Sequence, residues 1–277
     1  MLNKHLDLSA AKKVLAAFRG QVPNGIFGLV QSMPEKEMVK GIPGQLDRVI
    51  LITMTVAIDY QRDATRLWQW ARELYNESAT RWVFSPSNVS QASKADLESA
   101  LKAKPGGIRY PHKDVAWWHE NAKILSEKYQ GDPLKIFELV SWDVLRIAEA
   151  VRRLDRFRGL GGEKIFPLWL RMLRDIEGLP FRGMDNLPIP VDRHIARATF
   201  TTGLLKGNYS GKFNAELIKL IQDTWREVCA TGDTIPIDFD EALWQLSRQG
   251  CHYRHQVNIQ IARNGQIVRL GMYVPLG

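Results

Sequence analysis

The sequence predicts a mainly α-helical protein with two lobes and a C-terminal β-hairpin. Apolar residues recur at helical spacing through much of the chain, as in Arg62–Tyr75. The pattern changes near the end, where two alternating segments flank Asn264-Gly265, a dipeptide typical of two-residue hairpin turns. The length of 277 residues allows one large domain or two lobes, since a domain has roughly 150 residues.

The N-terminal third contains segments of different character. Leu8–Phe18 is predicted to be a short amphipathic helix, and residues 20–45 a connecting segment, because they contain several Gly and Pro residues. Leu46–Ile58 is apolar on all sides, so periodicity cannot distinguish a buried helix from a buried strand. Ser93, followed by Asp96, is typical of a helix start. Further helices are predicted at residues 116–129, 133–154, 164–176, 191–205, 215–229 and 239–248.

Composition restricts the class of partner and compartment. The 38 Lys and Arg residues exceed the 30 acidic residues, giving a net charge of +8 and a pI near 9.5. This balance favours a polyanionic partner, although a solvated basic surface also explains it. Two cysteines, Cys229 and Cys251, are too few for a disulfide framework and predict a reducing cytoplasm. The N-terminus has no signal-peptide pattern, and the apolar stretch Val49–Ile58 is too short to span a membrane.

The most informative block runs from Phe157 to Thr199. It begins with the turn Gly159-Leu160-Gly161-Gly162 between two helices, where backbone amides and a helix N-terminus can bind a phosphate. Lys164 follows, and a lysine becomes a nucleophile when its amine is neutral. A Gly/Pro-rich loop then ends at Asp192. Each feature also has a plainer interpretation: the glycine turn as a simple corner between helices, Lys164 as a surface lysine, and Asp192 as an ordinary N-cap aspartate.

Taken in order, these parts resemble the HhH-GPD superfamily of base-excision DNA glycosylases. The stretch Val191–Arg197 is similar to the family's Val-Asp-x-His-Val/Ile-x-Arg motif, and residues 57–75 resemble its early helix pair, with Gln61 at the duplex-inserting position. The resemblance implies that Asp192 stabilises positive charge on the sugar and that Lys164 attacks it. It also implies that the turn at residues 159–162 binds the DNA backbone. Arg193 and Arg197 are further candidates for phosphate contact, or form a solvated basic face.

The chain departs from the family pattern at several positions. Arg158 replaces the proline of the usual Leu-Pro-Gly-x-Gly-x-Lys hairpin. Counting from the glycines puts Glu163 at the lysine position, whereas aligning the following helix puts Lys164 there. We prefer Lys164. If Glu163 were the equivalent residue, water would be the nucleophile. The iron-sulfur cysteines of some relatives are absent apart from Cys251. We therefore expect no metal and no cofactor.

The resemblance implies a monomeric base-excision glycosylase, with or without lyase activity, that flips a damaged or modified base from double-stranded DNA. It implies a helical barrel lobe at residues 45–186, with the helix-hairpin-helix at about 150–176, and a second lobe at residues 1–44 and 187–277. The location would be the cytoplasm, and the nucleoid in a prokaryote. Two alternatives remain at this point: a non-catalytic helix-hairpin-helix nucleic-acid-binding protein, and an N-glycoside hydrolase acting on a nucleotide or RNA.

Overall fold

The chain forms two compact units. The computed structural model describes residues 32–206, 214–230 and 232–250, residues 13 and 16, and the backbone of strand residues 3–4, 257–263 and 266–272. The central unit is Ser32–Asn186, and the terminal unit combines Met1–Gln31 with Leu187–Gly277. Residues 32–44, which the sequence assigned to the second lobe, belong to the central unit, because a helix at Pro34–Val39 packs on the helix Ala64–Asn76. The predicted helix Leu8–Phe18 lies outside the described residues.

The described residues of the central unit form helices joined by loops, with one isolated β-bridge between Asp143 and Arg182. Its nine α-helices are α1 (Pro34–Val39), α2 (Gln45–Ala57), α3 (Ala64–Asn76), α4 (Pro86–Gln91), α5 (Lys94–Leu101), α6 (Pro111–Tyr129), α7 (Leu134–Leu139), α8 (Val144–Glu149) and α9 (Ile165–Glu177). Short 3-10 helices at Arg81–Phe84 and Met184–Asn186 and a π-helical turn at Ala150–Leu154 complete it.

Helix α2 forms the core of the central unit. Its nine consecutive residues from Val49 to Ala57 are all buried, which explains why the sequence is apolar on every face. A helix of this kind buries every side chain when other helices surround it. It packs against α3, α6 and α9, and Thr53, one of its two buried threonines, accepts a hydrogen bond from Trp169 Nε1 at 3.0 Å. Tertiary packing therefore resolves the ambiguity between helix and strand in favour of the helix.

Helix ends in this unit follow local capping rules. Ser93 caps α5 by accepting from the Asp96 amide at 3.1 Å, which confirms the predicted start. Helix α6 begins at Pro111, five residues before the predicted start at Ala116, with the proline in the first turn, where its missing N–H costs nothing. It ends at the left-handed Gln130 (φ +54°), and the Gly131 amide donates to Leu125 O at 2.8 Å.

The terminal unit has its own core. Its helices are α10 (Arg193–Thr201), α11 (Ala215–Cys229) and α12 (Asp240–Gln245), with a 3-10 turn at Pro236–Phe239 and a π-helical turn at Leu246–Gly250. Trp225 is fully buried there, and its Nε1 donates to Thr199 Oγ1 at 2.9 Å. Helix α10 is shorter than the predicted 191–205, because Asp192 caps it and Leu205 instead belongs to a short strand.

Two antiparallel strand pairs belong to the terminal unit. β1 (Asn3–Lys4) pairs with β2 (Leu205–Lys206), a pairing that the sequence did not predict. β3 (Val257–Arg263) pairs with β4 (Gln266–Met272), in a register that runs from Val257↔Met272 to Arg263↔Gln266. The connecting Asn264-Gly265 lies outside the described residues. Among the described residues, no helix is both long and apolar enough to span a membrane.

Candidate active site

The glycine turn between α8 and α9 packs closely on the end of the central helix. Gly159 has a left-handed backbone, with φ of +77°. A Cβ atom placed on Gly159 would lie 1.9 Å from the carbonyl oxygen of Ala57 and 3.0 Å from the Trp117 ring. No side chain fits at that distance, so the position requires glycine for two independent reasons.

The departure from proline at residue 158 has a structural counterpart. The Arg158 amide donates to Asn121 Oδ1 at 2.7 Å, and Asn121 Nδ2 donates to the Arg158 carbonyl at 2.8 Å. A proline has no N–H to donate, so it would leave the Asn121 oxygen without this bond. The side chain of Arg158 also pairs with Glu120 at 2.6 Å. Asn121 was missed in the sequence; its only signal is a polar residue on the apolar face of α6 that contains Trp118 and Leu125.

Arg152 holds the other side of the turn. Its Nε donates to the Gly161 carbonyl at 2.8 Å, and its guanidinium lies 4.8 Å from the centre of the Phe166 ring. The Leu160 side chain is fully buried, so a ligand outside the turn would meet only its backbone. Gly162 is exposed. The side of the turn that faces the protein is thus fixed by packing and by the Arg152 hydrogen bond, and the side that faces solvent is made of backbone.

Lys164 lies at the start of α9 and pairs with Asp59. Its Nζ is 3.7 Å from Asp59 Oδ2, and the side chains are 34% and 7% exposed. Glu163, the other candidate for the lysine position, is exposed. Asp59 was not singled out in the sequence, where its only signal is an acidic residue at the end of the long apolar stretch. The ion pair therefore places the Lys164 amine next to the buried carboxylate of Asp59, which follows α2.

Gln61 lies in the turn between α2 and α3, where it has a left-handed φ of +51° and an exposed side chain. Its Oε1 accepts a hydrogen bond from Tyr110 Oη at 3.2 Å. The next residue, Arg62, forms a nearly buried ion pair with Asp114 at 3.0 Å. Asp114 also accepts from the amides of Arg109 and Tyr110, both at 2.9 Å. These bonds join the turn that presents Gln61 to the loop before α6.

Asp192, in the terminal unit, is the N-cap of α10. Its Oδ1 accepts from the amides of His194 and Ile195, at 2.8 and 2.9 Å. The positive end of the helix dipole stabilises a carboxylate in this position. Arg193 is exposed and Arg197 is half-buried on the same helix. The N-cap interpretation and a chemical role are compatible, because the cap fixes the carboxylate.

His194 follows Asp192 and is held in an aromatic and basic environment. Its Nδ1 lies 3.0 Å from Ser247 Oγ, and its ring centre lies 5.4 Å from that of Trp244. Burial lowers the pKa of His194 below its usual 6.5, and the nearby Arg197 and other arginines lower it further, while Asp192 opposes them. Burial and the arginines therefore favour the neutral imidazole.

Most of the tryptophans are in the core, where few of them could stack on a flipped base. Five of the nine are fully buried, namely Trp68, Trp70, Trp118, Trp169 and Trp225. Trp82, Trp117, Trp142 and Trp244 are partly exposed. Within the described residues no group of three or more His, Cys, Asp or Glu side chains could bind a metal ion.

The fold matches solved glycosylases. One is the 8-oxoguanine DNA glycosylase Pa-AGOG of Pyrobaculum aerophilum, complexed with 8-oxoguanosine, at 17% identity and a TM-score of 0.57, covering 87% of this chain and 89% of that one. Another is endonuclease III in a trapped covalent intermediate with DNA, at 14% identity and a TM-score of 0.54, with 91% of each chain covered. No curated protein sequence matches the chain. The structure thus has the helix-hairpin-helix glycosylase fold that the motifs predict.

A family model adds sequence evidence to this likeness. Residues 164–269 match AGOG, described as an N-glycosylase/DNA lyase family. The matched segment includes Lys164 and Asp192, the two residues to which the motifs assign chemistry. The family match over residues 164–269 supports DNA N-glycosylase activity, and the fold is consistent with a glycosylase of the HhH-GPD class.

Proposed function

We propose that the protein excises an oxidised purine, 8-oxoguanine in the first instance, from double-stranded DNA, that it acts as a monomer, and that it also cleaves the strand. The observation behind this proposal is the AGOG match over residues 164–269. The likeness to Pa-AGOG, described as an 8-oxoguanine DNA glycosylase, suggests the substrate. The net charge of +8 is suited to a polyanion.

Lys164 is proposed as the nucleophile. An ammonium group cannot attack, so its proton must first leave, and the Asp59 carboxylate oxygen at 3.7 Å is positioned to receive it. The neutral amine then bonds to C1′ of the sugar, while the glycosidic bond breaks and its electron pair leaves with the base. Cleavage of the C1′–O4′ bond opens the sugar and gives a Schiff base. Loss of a C2′ proton to water then expels the 3′ phosphate, so that β-elimination cuts the strand on the 3′ side.

Asp192 is proposed to stabilise the positive charge that develops on the sugar as the base departs. Because two backbone amides hold its Oδ1, the carboxylate is oriented before the substrate binds. A preoriented charge loses no energy to reorganisation during the reaction, so it favours the transition state over the ground state. No step in this scheme uses a metal or a cofactor.

The proposed DNA contacts are of two kinds. The amides of residues 159–162 and the side chains of Arg193 and Arg197 bind phosphates, which gives affinity without sequence preference. Gln61 enters the duplex where the base has left and hydrogen-bonds to the orphaned partner. Its exposed position in a turn tied to α6 supports this role. We also propose that the enzyme works in the cytoplasm, and at the nucleoid in a prokaryote.

A panel of duplexes tests the proposal. Each carries one lesion, such as 8-oxoguanine, uracil or thymine glycol, and is incubated with the wild type, Asp192→Asn or Lys164→Gln. We expect the wild type to release 8-oxoguanine and nick the strand, and borohydride to trap it covalently on the DNA. Asp192→Asn should bind but not release the base, and Lys164→Gln should not be trapped.

A third variant, Glu163→Gln, is the matched control for Lys164→Gln, since it changes the adjacent, exposed residue. It should be trapped as efficiently as the wild type. Trapping that persists in Lys164→Gln and is lost in Glu163→Gln would show that our register is wrong. Failure of the wild type to act on any lesion would refute the proposed activity.

A further inference from the structure

An aromatic and basic cluster lies beside Gln61 and the glycine turn. The cluster consists of Tyr60, Tyr110, Lys113 and Trp117. Lys113 Nζ lies 4.2 Å from the centre of the Trp117 ring, 4.6 Å from that of Tyr60 and 5.9 Å from that of Tyr110. Three ring faces around one ammonium group hold it in place by cation–π attraction.

Lys113 differs from the other lysines on the surface of α6. Lys123 pairs with Glu127 at 3.7 Å, and Lys128 pairs with Asp155 at 2.5 Å. Within the part of the chain that the structure describes, no carboxylate forms such a pair with Lys113. Aromatic rings fix an ammonium group without neutralising it, so its charge remains available to a phosphate.

Tyr60 is the exposed member of the cluster. Its side chain is 49% exposed, which places it among the few large apolar side chains that are open to solvent in the described residues. It precedes Gln61 directly, while Trp117 on the other side is within contact distance of the Gly159 position. The cluster therefore connects two elements to which the proposed function assigns DNA contacts.

We infer that this cluster is a contact site for the DNA strand beside the vacated position: Lys113 binds a backbone phosphate and Tyr60 stacks on a neighbouring nucleobase. This inference rests on the proposed function. A fixed cation next to an exposed ring matches the alternation of phosphate and base along a nucleic-acid strand. The site would stabilise the opened duplex while Gln61 occupies the gap.

The test measures binding, so that it does not depend on catalysis. The ligand is a duplex with one tetrahydrofuran abasic analogue, which has no base to release, and its affinity is measured from low to moderate salt. Each phosphate contact contributes about 0.9 to the slope of log K against log salt. Lys113→Gln should therefore reduce the slope by about 0.9. Lys123→Gln, ten residues and about 15 Å further along the same helix, should leave it unchanged.

Tyr60 is tested by two substitutions that keep an apolar side chain. Tyr60→Leu removes the ring and should weaken binding about tenfold, with the salt slope unchanged, because loss of stacking on a base costs at least a few-fold in affinity. Tyr60→Phe keeps the ring and should bind like the wild type. Circular dichroism confirms that each variant is folded.

The outcomes separate this inference from the proposed function. If the wild type excises a damaged base but Lys113→Gln keeps the full salt slope, or Tyr60→Leu keeps full affinity, the cluster does not contact DNA. If Lys113→Gln and Lys123→Gln reduce the slope equally, the effect is one of general charge and the inference is also overturned. Absence of excision by the wild type would contradict the proposed function instead.

Discussion

Replacement of Gly159 by alanine should destabilise the central unit strongly. The new Cβ would lie 1.9 Å from the Ala57 carbonyl oxygen, and the backbone at this position has φ of +77°. A left-handed conformation costs an alanine about 1–2 kcal/mol. Displacing a packed backbone group costs about 1–3 kcal/mol more. The expected loss in the free energy of unfolding is thus about 2–5 kcal/mol.

Gly162→Ala is the matched control within the same turn. The nearest atom to a Cβ at Gly162 is the Gly159 oxygen, at 3.9 Å, and the residue is exposed. Its loss in the free energy of unfolding should stay within about 0.5 kcal/mol, as for surface substitutions in general. The two variants therefore differ in local geometry, while the chemical change is the same.

Thermal and urea unfolding, followed by circular dichroism, measure the difference. In a protein of this size each kcal/mol lowers the Tm by roughly 2–4 °C, so Gly159→Ala should melt roughly 4–20 °C below the wild type. Duplex affinity, measured below that temperature, should fall as well, because the turn must shift to accept the methyl group. Equal melting temperatures for Gly159→Ala and Gly162→Ala would refute the close packing on Ala57.

Two further predictions concern charged groups. Asp114→Ala should lower the free energy of unfolding by about 3–5 kcal/mol, because it leaves the nearly buried Arg62 without its ion pair. Glu127→Ala breaks an exposed pair on the same helix and should cost under about 1 kcal/mol. Equal losses for the two variants in urea unfolding would contradict this prediction. The pKa of His194 lies below 6.5 in the folded chain, so at low pH the unfolded chain binds more protons than the folded chain does. The contribution of His194 to the stability of the terminal unit should therefore be complete above about pH 6.5 and decrease as the pH falls. The slope is at most about 1.4 kcal/mol per pH unit for one group, and it should disappear in His194→Gln; a variant with the wild-type pH dependence would show that another group is responsible.

Local patterns were sufficient for many helices and for the class of protein. The spacing of Leu67, Trp70, Ala71 and Leu74 predicted α3, and Ser93 predicted the start of α5, because periodicity and capping depend on residues within one or two turns. The order of the glycine turn, Lys164, the Gly/Pro loop and Asp192 was sufficient for the resemblance to HhH-GPD glycosylases. These signals are local or depend only on order along the chain.

Contacts between distant parts of the chain were beyond such reasoning. Asp59 and Lys164 are far apart in sequence, and nothing near either residue indicates that their side chains meet. The same holds for the bonds between Asn121 and Arg158, which accommodate the missing proline. Only the packing of α6 and α9 around α2 brings these groups together.

The amino-acid order alone therefore determined many of the helices and which family motifs are present, because both depend on neighbours along the chain. The tertiary structure decided that residues 45–57 are a helix, because periodicity does not distinguish a buried helix from a buried strand in a largely apolar segment. It also decided the left-handed turn at Gln61 and the aromatic surroundings of Lys113. These features depend on segments that meet only when the helices pack, because burial and electrostatic attraction act between groups that are close in space, whatever their separation along the chain.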